Sequence, residues 1–334
     1  MHRRALALLG VAVLAAGVLV SGVATAAPVK EPPIGIGKTA LRAAFHCKGK
    51  VKGATKEPIM LVTGTGSTGD EAYLIGKGAF QHFGHPVCYL NYPDYMTADI
   101  QTSVQYLVYG IRRESAMFGA KIAIFGISQG GLLPRVALTY WPGLRTKVSD
   151  VVAAAGTQHG TTVRAGVNGK PCSSKHPCPP AAWQQEAGSA FLTALNREPI
   201  EAPGQTAWTT VRSSTDEVVQ PQTGKHPASA LVGATNILIQ KICPGRKVSH
   251  IGTALDSVTF AAFADAVSHP GPAEVSRLPK NVCAHPYAPG LDQTTTAQTL
   301  SGTNSVISIQ EQSAPRVRKE PPVRGYVKRI RANR

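Results

Sequence analysis

Acidic residues are scarce in this chain: 19 Asp and Glu stand against 35 Lys and Arg, a formal charge of +16 over 334 residues. No RNA- or DNA-binding motif accompanies that excess, so nucleic acid is not an expected partner. No internal repeat and no clear second domain breaks the sequence. The glycine-rich run at 63–69 lacks the following Lys-Ser/Thr pair of a phosphate-binding loop, which argues against a nucleotide cradle. No cysteine lies near the end of the amino-terminal apolar run, which argues against a lipoprotein.

What is there begins with an export signature. His2-Arg3-Arg4 precedes an apolar run at 5–20 and then Ala24-Thr25-Ala26, the pattern of a signal peptide cleaved after Ala26. The run is long for such a signal, so an uncleaved membrane anchor is the rival reading. A secreted location follows, and with 43% hydrophobic residues the remaining chain is long enough for one large α/β core. Six cysteines, Cys47, Cys88, Cys172, Cys178, Cys243 and Cys283, are an even number in an exported chain, so three disulfides are expected. The Cys172 to Cys178 spacing favours a local bridge; a metal clip that adds His176 is the rival and lacks a nearby fourth ligand. From Ser313 onward eight basic residues face Glu320 alone. This basic tail at 313–334 reads as a solvated, disordered terminus, with retention at an anionic envelope or membrane surface as the alternative.

The chemistry is concentrated at residues 121–135. A strand-like run ending in Phe125 breaks at Gly126-Ile127-Ser128-Gln129-Gly130 into an apolar helical pattern through Leu132, Leu133, Val136 and Leu138. A strand that reverses directly into a helix strains its central residue and needs small neighbours two positions either side, which is the nucleophile elbow. Gly-x-Ser-x-Gly is loosely specified alone; the flanking strand and helix give it weight. Pro134 is expected in the first helical turn, where proline is tolerated.

Around the elbow the pattern predicts a strand at 58–62, a helix at 72–83, a strand at 86–91, a helix at 98–118, a strand at 149–155, a helix at 181–196 and a strand at 207–213. An extended arm with a short helix at 39–45 precedes them. Alternating apolar strands and helices imply an α/β fold with a mostly parallel sheet covered on both faces, and catalytic groups at the carboxyl ends of the strands. The expected organisation is a single domain at 27–312, with 156–180 partly covering the site.

A serine hydroxyl is a weak nucleophile, so hydrolysis needs a histidine to take its proton and a carboxylate to hold the imidazole tautomer. In the chain order serine, acid, histidine, the acids after a strand are Asp216 and Glu217; Asp216 is preferred for its shorter side chain, with Glu217 as alternative. His250, taken as the end of a short apolar strand, fits that order. His159 precedes both acids, His226 is too near them, and His269 and His285 lie beside prolines in polar stretches. The Gln129 amide and Thr65, in the loop after the first core strand, are the candidate oxyanion donors.

With those segments assembled, the chain resembles the Candida antarctica lipase B-like family of α/β-hydrolases. The matching pieces are Thr63-Gly64-Thr65-Gly66-Ser67-Thr68-Gly69, Ser128-Gln129-Gly130-Gly131-Leu132, Trp183-Gln184-Gln185, Ser214-Thr215-Asp216-Glu217-Val218-Val219-Gln220-Pro221 and His250. The resemblance implies a carboxylic ester hydrolase acting on fatty acyl esters or triacylglycerol through Ser128, Asp216 and His250. Thr65 and Gln129 would be the oxyanion donors and Gln185 would line the acyl side; Ile127 and Val218 are further candidate substrate contacts. It also implies Cys47 paired with Cys88 and Cys243 with Cys283. No metal or organic cofactor is required, and a monomer acting on a lipid or ester is expected. The chain departs from the family pattern at Ile127, where the archetype has tryptophan, and at Thr157 and His159, where it has an Asp-Tyr-Lys stretch; it also lacks the archetype's carboxyl-terminal disulfide. Acyl transfer in the envelope by the same triad is the second enzymatic reading, and a non-catalytic surface-binding module the third.

Overall fold

The computed structural model describes residues 31–51, 53–163 and 170–329. The leader expected at 1–26 lies outside them, as does part of the covering segment at 156–180.

Seven strands form one sheet: β1 Phe45–Lys48, β2 Ile59–Val62, β3 Val87–Leu90, β4 Ile122–Ile127, β5 Val148–Ala154, β6 Ala207–Arg212 and β7 Thr235–Leu238. Their spatial order is β1-β3-β2-β4-β5-β6-β7. Every neighbouring pair is parallel except β1 with β3. The helices are α1 Lys38–Ala44, α2 Gly69–Phe83, α3 Ile100–Phe118, α4 Gln129–Tyr140, α5 Pro180–Gln185, α6 Ala190–Leu195, α7 Ile239–Ile242, α8 His250–Leu255, α9 Ser257–Ser268, α10 Gln293–Ser313 and α11 Gly325–Arg329. This is the α/β-hydrolase fold that the alternation of strands and helices implies.

The central strands carry apolar residues on both faces because two separate cores need them. Met60, Val62 and Ile124 belong to one core with Val104, Leu107 and Ile111 of α3 and Leu133 of α4. Ile59, Leu61 and Phe125 belong to the other, with Phe80 of α2 and Phe260 and Phe263 of α9. Burying side chains on both faces of a parallel sheet removes the period-two signal and leaves continuous apolar runs.

Several expectations need correction. The helix expected at 181–196 is two short helices, because the chain turns at Glu186 and Gly188 takes a left-handed φ of +86°. His250 does not end a strand; it is the first residue of α8, whose amino terminus Ser249 caps by accepting from the Gly252 N–H. Pro134 falls in the second turn of α4, not the first. The carboxyl-terminal segment through Arg329 is not a solvated, disordered tail. Cys178 and Val317 exchange backbone hydrogen bonds, and the Glu320 carboxylate accepts the Ala190 and Phe191 amides at the start of α6. Arg324 pairs with Asp99, and the Tyr326 ring packs on Trp141. Arg318, Lys319 and Lys328 stay exposed.

Disulfides join Cys47 to Cys88, Cys172 to Cys178 and Cys243 to Cys283. The first ties β1 to its directly opposite residue on β3. The second uses both thiolates that a metal clip with His176 would need, and the His176 ring faces the Ser173 hydroxyl instead. Among the described residues no helix is long and apolar enough to cross a membrane.

Candidate active site

Ser128 joins β4 to α4 with φ 57° and ψ −123°, a conformation that a residue with a side chain adopts at a cost. The glycines on either side make it sterically achievable. A Cβ on Gly126 would lie 2.1 Å from the Gly130 carbonyl oxygen, and one on Gly130 would lie 2.2 Å from that of Val62. The strain lifts the Ser128 hydroxyl from the carboxyl end of the sheet and leaves Gln129 as the first amide of a helix, a position without an intrahelical acceptor.

The hydroxyl donates to His250 Nε2 at 2.9 Å. The other ring nitrogen, Nδ1, donates to Asp216 Oδ2 at 2.8 Å, which leaves Nε2 as the acceptor. Asp216 follows β6 and is 2% exposed. Its Oδ1 accepts the Val218 and Val219 amides, both at 2.8 Å, so the carboxylate is held on both oxygens. Three side chains separated by up to 122 positions thus form one hydrogen-bonded line. Glu217, the alternative acid, is occupied elsewhere: its carboxylate accepts the backbone amide of His250 at 2.9 Å. Of the other histidines, His159 pairs with Glu201 and His269 with Asp265, while His226 and His285 are exposed.

The loop after β2 lies against the serine; a Cβ on Gly64 would come within 2.9 Å of Ser128 Cβ. Thr65 donates its hydroxyl to Gln129 Oε1 at 2.7 Å. Gln185 Nε2 donates to Thr65 Oγ1 at 3.0 Å and to Gln129 Oε1 at 3.2 Å, and its Oε1 accepts the Thr157 hydroxyl at 2.9 Å. The Ala181 carbonyl also accepts from Gln185 Nε2, which fixes the amide orientation. Gln185 therefore positions the Thr65 and Gln129 pair as well as lining the cavity, and Thr157 takes part in that network.

Ser128 and His250 open into a cavity of about 490 Å³ that Ile127, Gln185 and Val218 also line. Cys178 and Pro179 form part of its wall. Sequence reading missed α10, which contributes Thr303, Ile307, Glu311 and Gln312. A Cβ on Gly66 would meet Ile307 at 2.8 Å and Glu311 at 2.9 Å, so α10 is seated directly on the loop after β2. Its sequence is rich in Thr, Ser and Gln, which hid the helical period. Among the described residues no group of His, Cys, Asp and Glu is arranged to hold a metal ion.

No protein-family model matches the chain. Lipase B of Pseudozyma antarctica is 32% identical over 259 residues, which span 73% of this chain and 73% of that protein. The crystal structure of Aspergillus fumigatus lipase B matches with a TM-score of 0.80 and 28% identity, covering 91% of this chain and 75% of that one. The propeptide form of the Bacillus licheniformis lipase BlEst2 matches with a TM-score of 0.50 and 16% identity, covering 69% of this chain and 54% of that one. That last likeness speaks for the fold alone.

Proposed function

The chain belongs to the lipase B family of α/β-hydrolases and is a carboxylic ester hydrolase, and on that premise we propose that it is a secreted serine lipase or esterase working through an acyl-enzyme. Ser128 is the nucleophile, His250 the general base and then acid, and Asp216 the carboxylate that orients the imidazole. The observation that carries the reading is the unbroken line from Ser128 Oγ through His250 to Asp216. As Ser128 attacks the ester carbonyl, its proton passes to Nε2 and the imidazolium forms beside Asp216. The oxygen of the tetrahedral intermediate is received by the Gln129 amide, with Thr65 as second donor. His250 then returns its proton to the leaving alcohol, and water repeats the sequence to release the acid. Three disulfides are in keeping with an exported protein. The exposed Arg318, Lys319 and Lys328 suit a further role, retention at an anionic envelope.

A p-nitrophenyl alkylphosphonate tests the mechanism, because it arrests the reaction at a tetrahedral adduct. Release of one equivalent of p-nitrophenolate and a phosphonylated Ser128 peptide in the mass spectrum are expected. Loss of activity with the adduct on another residue would refute the assignment.

Ile127, just before the nucleophile, lines the cavity with less bulk than a tryptophan. We expect wild type to hydrolyse esters of bulky secondary alcohols readily and Ile127→Trp to lower kcat/KM for them by about tenfold relative to primary esters, the scale of one lost methylene or more in a packed pocket. An unchanged ratio between the two ester classes would remove Ile127 from alcohol selection.

A further inference from the structure

Glu311 is the carboxylate that the mechanism leaves unused. It projects from α10 into the cavity that holds Ser128 and His250. Among the described residues its carboxylate accepts no hydrogen bond and forms no ion pair. Burial raises its pKa to about 6, opposed in part by His250.

The other charged groups in the cavity are already engaged. Arg316 spends its guanidinium on the Pro177 and Gln312 carbonyls, at 3.2 Å each. Glu217 holds the His250 amide and adds a second negative group. Around them Ile127, Ile251, Leu255 and Ile307 supply apolar surface. A carboxylate partly withdrawn from water is stabilised more by a cation than by a neutral hydroxyl, and apolar walls accept the methyl groups of a quaternary ammonium.

We propose that Glu311 forms an anionic subsite for the alcohol portion of the substrate, selecting esters whose alcohol carries a quaternary or protonated amine. The proposal rests on Ser128 being the nucleophile of this cavity. An alcohol so placed is held by its charge at one end while its ester carbonyl lies at Ser128. A neutral alcohol of the same shape fills the space and leaves the carboxylate unpaired.

The test compares butyrylcholine with the isosteric ester in which carbon replaces the quaternary nitrogen. The measurement is kcat/KM by titration of released acid at about pH 8, above the range in which Glu311 takes up a proton. Wild type is expected to favour the choline ester by about tenfold, a modest share of a close charge pair. In Glu311→Gln that ratio should fall to about one, and in Glu311→Asp it should be intermediate. A wild-type ratio near one overturns the proposal without needing a folded variant. So does a ratio that Glu311→Gln leaves unchanged, including the case where both esters slow equally because Glu311 acts through His250. Failure to cleave either ester, with no phosphonate adduct on Ser128, would overturn the nucleophile assignment and the proposal with it. Cleavage of the neutral ester at a ratio of one overturns the proposal alone.

Discussion

Replacing Ser128 with alanine is expected to lower kcat/KM for a p-nitrophenyl ester by at least about 10⁴-fold, the scale seen when the nucleophile of a serine triad is removed. The reason lies in the elbow. Its backbone puts one hydroxyl against His250 Nε2 and beside the Gln129 amide. Another hydroxyl borders the cavity at Thr65, but it is committed to Gln129 Oε1 and receives a hydrogen bond from Gln185. It has no histidine to take its proton. The substitution should leave the fold alone, because alanine meets the positive φ at 128 on nearly the same terms as serine. Circular dichroism and a thermal melt alongside the ester assay separate loss of chemistry from loss of structure. Residual activity above about 1% of wild type would place the nucleophile elsewhere.

The elements legible in the sequence were those whose burial is extreme. β2, β4 and β5 read as continuous apolar runs because helices cover both sheet faces, and Gly126 to Gly130 read as an elbow because backbone atoms occupy the space of any Cβ. The line of Ser128, Asp216 and His250 was legible from chain order, since Ser128 follows β4, Asp216 follows β6 and His250, opening α8, comes after β7. Edge strands were not. β1 is Phe-His-Cys-Lys and only half-buried, and β7 begins with Thr and Asn, so neither presents an apolar run. α10 was missed for a related reason. Its contacts fall on a few positions, such as the buried Leu300 and the half-buried Ile307, against α8 and the loop after β2 rather than a sheet, and a helix stabilised by such contacts needs no strong apolar stripe. The carboxyl-terminal segment misled through its charge. Arg324 reads as a solvated cation, yet it reaches both Asp99 and Thr102 on a surface assembled from distant sequence.

The largest effect on stability is expected at Glu114 of α3, which lies in the interior with 0% exposure. Neither carboxylate oxygen has a hydrogen-bond partner among the described residues. Burial pushes its pKa well above the ordinary value, so the folded protein favours the protonated form. The sign follows from linkage. The unfolded chain ionises this group from about pH 4.3 upward while the folded chain resists, so its contribution to stability is whole below that pH and is lost as pH rises toward the folded pKa. Glu114→Gln keeps the shape and cannot ionise. It should therefore match wild type within about 1 °C at pH 4 and melt roughly 5 °C higher at pH 8, the equivalent of about 3 kcal/mol in a chain of this size. Glu114→Met removes the unpartnered polar atoms as well, so it should gain at both pH values and exceed the glutamine variant at pH 4. Calorimetric melts of the three proteins at the two pH values test this directly. A glutamine variant no more stable than wild type at pH 8 would show that the Glu114 carboxyl is paired or hydrated in solution.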